Sequence, residues 1–155
     1  MSRIRAQTTA IITAPPEAVW SIIADYRQGH PSILPPRYFA GLDVEEGGVG
    51  EGTVFRVHMR VLGSIRTMRM RVSEPEPGRV LEEADLDSDM VTSFTLDPTD
   101  DGRTSVTIAT TWLPRPGVSG LFDRAVTPSL MRLVYSAELA QLEAVCRQAG
   151  PLPTT

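Results

Sequence analysis

The chain has 155 residues, of which 41% are apolar and 22% charged, with a formal net charge of -4. That length buries roughly two-thirds of the surface an unfolded chain exposes, enough for the core of one ordinary domain spanning 1–155. The acidic balance argues against a nucleic-acid partner, and Cys146 as the lone cysteine excludes an internal disulfide or a cysteine metal cluster within one chain.

All fifteen basic residues are arginine, so chemistry that needs a Schiff-base lysine or a phosphate-loop lysine is absent. The apolar stretch around Ile11 and Ile12 is too short for a signal core or a membrane span. No membrane span and a cytoplasmic location are the expectations.

Ile4 to Thr13 alternates with period two and predicts a first strand. Thr13-Ala-Pro-Pro-Glu17 opens a helix, because proline in a first turn forfeits no hydrogen bond and Glu17 suits the positive end of the dipole. Val19, Ile22, Ile23 and Tyr26 keep helical spacing, and Gly29-His30-Pro31 stops the helix. Between Pro31 and Pro36 only one or two further turns fit.

From Tyr38 to Trp112 the period is two. A strand ends in the glycine-rich Glu45–Gly52 connection, and Val54–Val61 and Ile65–Ser73 follow around Leu62-Gly63-Ser64. Pro75-Glu-Pro-Gly78 predicts the next turn, then Val80–Leu86, Met90–Leu96 and Ser105–Trp112. Consecutive strands on short turns make an antiparallel meander, and its apolar face requires a cover. The cover is the C-terminal helical stripe from Val118 to Val145, which Thr127-Pro128 kinks or divides in two and Gly150-Pro151 ends. The fold class is α+β, a curved antiparallel sheet wrapped around a long C-terminal helix, with two short helices after the first strand.

This order of elements, the segment Thr13-Ala-Pro-Pro-Glu-Ala-Val-Trp-Ser-Ile-Ile-Ala-Asp-Tyr26, the Gly47–Gly52 connection, Glu74-Pro-Glu-Pro-Gly-Arg-Val80 and the terminal helix carry a resemblance. The chain resembles the polyketide cyclase/dehydrase and lipid-transport superfamily, also described as START-like or SRPBCC, with the helix-grip fold of the birch-pollen allergen. The resemblance implies a hollow between sheet and helix that takes hydrophobic molecules. It also admits enzymes of the cyclase or dehydratase type.

Inward phases nominate Val57, Met59, Met68, Met70, Phe94, Ile108 and Trp112 as the sheet wall of that hollow. Phe122, Val126, Leu130 and Val134 would line the helix side, with Tyr26, Ile33, Leu34, Tyr38 and Phe39 near the mouth. Methionine adapts to flat or greasy ligands, which suits a pocket as well as a core.

Among polar candidates, His30 at the mouth lies close in sequence to Asp25 and Tyr26, where a carboxylate can tune a general base. His58 shares its phase with Arg56 and Arg60 and faces solvent. Glu82 falls inward if the even positions of Val80–Leu86 face the hollow; the opposite phase puts Leu81 inside. An inward carboxylate would have its pKa raised and serve as acid, base or anchor. Arg69 and Arg71 are positioned to pair across the ladder with Glu83 and Asp85.

The glycine-rich segment is followed by a strand rather than a helix, which makes it a turn rather than a phosphate loop. No histidine pair has metal-ligand spacing, so no metal or cofactor is expected, and no catalytic residue is assigned. The expected partner is a small hydrophobic molecule such as a lipid, isoprenoid or aromatic polyketide. A cyclase or dehydratase using the same hollow and a protein-interaction module are the alternatives.

Overall fold

The computed structural model describes residues 2–149. Its strands are β1 (Ile4–Ile12), β2 (Phe39–Glu46), β3 (Val54–Val61), β4 (Ser64–Glu76), β5 (Val80–Asp85), β6 (Val91–Pro98) and β7 (Thr104–Trp112). They form one antiparallel sheet in the order β1-β7-β6-β5-β4-β3-β2. Two short helices, α1 (Pro16–Ile23) and α2 (Gly29–Ser32), fill the connection from β1 to β2. The C-terminal segment is α3 (Val118–Ala125) followed by α4 (Thr127–Ala149), which packs against β1. This is the helix-grip arrangement that the strand-helix-meander-helix order implied.

The division at Thr127-Pro128 has a local cause. Pro128 is the second residue of α4, where its missing N–H is not needed, and the chain begins a new helix there. Its predicted end at Gly150-Pro151 lies outside the described residues. At Pro75 the structure differs from expectation: β4 continues to Glu76, and the pairing with β5 slips between Ser73 and Glu76. The proline sits in that irregular stretch, where no ladder donor is required.

The inner face collects Phe55, Val72, Leu81, Phe94, Leu96, Val106 and Ile108 from the sheet, and Val134, Leu139 and Leu142 from α4. Two inferences about facing are corrected here. Phe122 and Val126, expected against the sheet, are 43% and 45% exposed, because α3 turns Gly120 and Asp123 inward instead. Glu83, expected outside against Arg69, is 8% exposed and belongs to the inner face; Arg69 pairs with Glu45 of β2.

Candidate functional site

The segment after α1 is held by its own backbone and by one carboxylate. Asp25 accepts hydrogen bonds from the backbone N–H groups of Arg27, Gln28 and Gly29, and its carbonyl accepts from His30 N at 2.7 Å. Gly29 is required by close approach: a Cβ there would stand 2.3 Å from the Ile22 carbonyl oxygen. On the other side lies the glycine-rich connection. Tyr26 N donates to Gly48 O at 2.8 Å and Gly50 N to Ala24 O at 2.9 Å, with Gly50 at φ 61°. The connection is thus a clamp on the Tyr26–His30 segment rather than a free turn.

The clamp delivers both rings into the interior. Tyr26 is 0% and His30 3% exposed, so neither sits at a mouth, and Ile33 is equally buried. Tyr26 stacks on His30 with ring centroids 4.3 Å apart and on Phe55 at 4.7 Å, while Phe94 meets His30 edge-on at 5.5 Å. His30, expected at the mouth, lies inside, where the Ile23 carbonyl at the end of α1 holds its ring through Nδ1.

Strand register supplies the partners. Glu83 stands opposite Thr92, and Thr92 opposite Thr110, so three polar side chains form one inward row across β5, β6 and β7. Tyr26 Oη donates to Glu83 Oε1 at 2.6 Å, and His30 Nε2 lies 3.3 Å from the same oxygen. Thr92 Oγ1 and Thr110 Oγ1 are 2.7 Å apart, and Thr110 also bonds the Tyr135 hydroxyl from α4. Glu138, one helical turn beyond Val134, joins the cluster from the same helix.

The hydrogen bonding fixes a proton. His30 Nδ1 lies 2.7 Å from Ile23 O, a carbonyl that only accepts, so Nδ1 carries a hydrogen. The contact between Nε2 and Glu83 then needs one more proton, held by the ring or by the carboxyl. Burial raises the Glu83 pKa, while His30 and the Tyr26 hydrogen bond lower it. Burial pushes the Glu138 carboxyl well above its ordinary range, and the neighbouring Glu83 charge adds to the rise. The Tyr26 hydroxyl is also raised, by burial and then by Glu83. The cluster therefore sets a carboxyl that burial biases toward its neutral form beside a buried imidazole–carboxylate contact, groups suited to acid–base chemistry.

Glu138 is 3% exposed and receives no hydrogen bond from any described residue. Yet among the described residues no fully buried side-chain oxygen lacks a partner. Its carboxyl oxygens therefore keep a little accessible surface.

Of the residues nominated from sequence, Val57, Met70, Phe94, Ile108, Trp112 and Val134 are buried, most of them in the same core as the polar cluster. Leu34, Tyr38, Phe39, Met59 and Met68 pack half-buried against it, and Leu130 is half-buried on α4. Glu82 is the error. It is half-buried, in the phase opposite to buried Leu81 and Glu83. The cross-strand pair Leu81–Phe94 fixes that phase. Thr92, Thr110, Tyr135 and Glu138 were missed; Val134, Glu138 and Leu142 do share i, i+4, i+8 spacing. Among the described residues no three histidine, cysteine, aspartate or glutamate side chains converge as a metal site. A separate cleft of about 310 Å³ lies between β1 and α4, along Thr8–Ile12 and Ser136–Glu143.

The sequence model for polyketide cyclase/dehydrase and lipid transport matches residues 3–147. This chain belongs to that family. No curated protein matches the sequence. Among solved structures, the solution structure of the KanY protein (ms6282) is 30% identical with a TM-score of 0.81, covering 95% of this chain and 99% of that one. The Zhui aromatase/cyclase from Streptomyces sp. R1128 is 22% identical, with a TM-score of 0.79 over 97% of this chain and 100% of that one. Major latex-like protein 151 from Panax ginseng is 16% identical, with a TM-score of 0.69 over 92% and 97%. The last two share the fold of this family member, and the resemblance read from Thr13–Tyr26 and the terminal helix is thereby shown.

Proposed function

We propose that this family member binds a small hydrophobic molecule between the sheet and α4, orienting it by a polar group laid against Glu138. The observation that carries the reading is the Glu138 carboxyl, buried on the inner face of α4 without a hydrogen bond from any described residue. A neutral carboxylic acid in apolar surroundings both donates and accepts, which suits a ligand hydroxyl or carbonyl. Apolar contact would come from the buried core, to which Phe94 of the sheet and Val134 of α4 belong.

The test is mass spectrometry of the purified protein, native and then extracted with organic solvent. A stoichiometric hydrophobic passenger, lost in Glu138→Ala, is the expected result. No passenger, together with no thermal shift across a panel of lipids and polyphenols, overturns the reading.

A second reading is an enzyme of the cyclase/dehydratase type, favoured by the approach of His30 Nε2 to Glu83 Oε1 at 3.3 Å. The pair would remove a proton from the bound molecule while the Glu138 carboxyl donates one to the departing or enolising oxygen. His30→Gln and Glu83→Gln separate the two: turnover collapses in an enzyme, whereas a carrier loses affinity only.

A further inference from the structure

Helix α3 is inverted. Its spacing places Val118, Leu121, Phe122 and Val126 on one stripe, yet these residues are 83%, 68%, 43% and 45% exposed while Gly120 and Asp123 are buried. An amphipathic helix on a protein surface normally does the opposite. Two contacts impose the orientation. Arg115 grips the Asp123 carboxylate through Nη2 at 2.8 Å, Nε at 3.1 Å and its own backbone N–H at 2.9 Å. At Gly120, a Cβ would stand 2.1 Å from the Arg115 carbonyl oxygen, so the helix lies directly on that backbone. The fold thus holds an apolar stripe out in solvent.

The β3–β4 hairpin breaks local rules in the same way. Val61 pairs with Ser64 across a two-residue turn, and Leu62 and Gly63 both have positive φ, 48° and 82°. Such turns favour Asn-Gly. A leucine at the first position is disfavoured in backbone conformation, and here it is 86% exposed. Departures of this kind concentrate at functional surfaces.

Both features stand at one end of the molecule. Arg66, on the third rung from the hairpin tip, acts on the α3 carboxylate: the Asp123 pKa is held down first by its bond to Arg115, with Arg66 a further charge. Arginines accompany the stripe. Arg60, Arg66, Arg124 and Arg132 form no salt bridge among the described residues. The only acidic residue between Leu113 and Val134 is Asp123, which Arg115 holds. Asp85, Asp87 and Asp89 of the β5–β6 turn lie at this end as well, and Asp89 is taken up by Leu113 N and Arg3, both at 2.8 Å, so the stripe keeps arginines beside it that no described carboxylate pairs.

We propose that α3 and the tip of the β3–β4 hairpin dock the protein on an anionic phospholipid surface. Exposed aliphatic side chains enter the headgroup boundary while arginines meet lipid phosphates, the chemistry of a helix lying in an interface. No helix among the described residues is long and apolar enough to cross a membrane, so contact of this kind is peripheral. The inference does not depend on what the interior binds.

Co-sedimentation with phosphatidylcholine vesicles and with mixed phosphatidylcholine/phosphatidylglycerol vesicles tests it. The wild type should pellet with the mixed vesicles, less so at high salt, and little with phosphatidylcholine alone. Leu121→Asp/Phe122→Asp should lower the partition coefficient about tenfold or more. Arg66→Glu and Arg124→Glu should each lower it about fivefold. Circular dichroism and melting curves check that these surface variants fold; Leu62→Asn, which suits the turn, provides a second variant that should bind less while folding at least as well. Failure to pellet, or equal pelleting of wild type and variants, overturns the proposal. So does a wild-type dimer in sizing chromatography that Leu121→Asp dissolves, since the stripe would then belong to a second copy of the chain.

Discussion

The Tyr26 hydroxyl and Glu83 Oε1 are 2.6 Å apart in the buried core, and they come from segments 57 positions apart. The bond ties the loop after α1 to the centre of the sheet, and it lowers the pKa of a carboxyl that burial raises. Tyr26→Phe keeps the stacking on His30 and Phe55 but removes the donor. Urea denaturation should show a loss of about 1.5–3 kcal/mol, the range for a buried hydrogen bond to a charged group. The Glu83 carboxyl should titrate at higher pH in the variant, which carboxyl-labelled NMR can read. An unchanged stability and titration would mean that the bond does not hold this loop.

His30 and Glu83 form a buried pair, with Nε2 and Oε1 3.3 Å apart, so their substitutions should not add. His30→Leu strands the carboxyl, at about 3 kcal/mol, toward the lower end for a broken buried pair because Glu83 can take up a proton. His30→Leu/Glu83→Leu should be more stable than the sum of the single variants predicts. Additive values in this double-mutant cycle would show that the two side chains do not interact.

Most of the fold was legible because local signals agreed with one another. Period-two runs, Thr99–Gly102 between β6 and β7, and Pro128 near the start of α4 each point to the element that forms. The site was legible only in part, since it depends on facing. In β5 the run Val-Leu-Glu-Glu-Ala-Asp offers an apolar residue and a glutamate in either phase, and the pairing of Leu81 with Phe94 decides that Glu83 enters. Helix α4 carries Leu130, Leu133 and Ala137 beside Val134, Tyr135, Glu138 and Leu142. Periodicity alone does not choose between those stripes. In α3 the chosen face is the polar one, because Arg115 and Gly120 fix it through contacts that have no signature in spacing.

Gly29→Ala gives a test of how tightly the Tyr26–His30 segment is held. Replacing a helical glycine by alanine ordinarily stabilises, by roughly 0.5–1 kcal/mol. Here the added Cβ would lie 2.3 Å from the Ile22 carbonyl oxygen and 2.9 Å from its Cα, both backbone atoms that cannot turn aside. The variant should instead be destabilised by about 1–3 kcal/mol, as in other overpacked sites. Displacement of His30 should also change its ring proton shifts. A stabilised Gly29→Ala would show that the close approach of α2 to the end of α1 is not part of the fold in solution.

Glu138 makes stability depend on pH in a direction opposite to that of ordinary paired carboxylates. Its folded pKa lies well above the reference value of 4.5, by burial first and by the Glu83 charge second. Between 4.5 and the folded value the unfolded chain has released this proton while the native state retains it. The native state thus binds more protons, and stability falls as pH rises through that window. Glu138→Gln keeps the size and polarity of the side chain without an ionisable proton. The variant should show a flatter melting temperature against pH above 4.5 and should melt higher than wild type at alkaline pH, with little difference below 4.5. A wild-type melting temperature that instead rises across this window with Glu138 present, and does so equally in the variant, would show that the carboxyl is solvated and not the buried acid on which ligand anchoring rests.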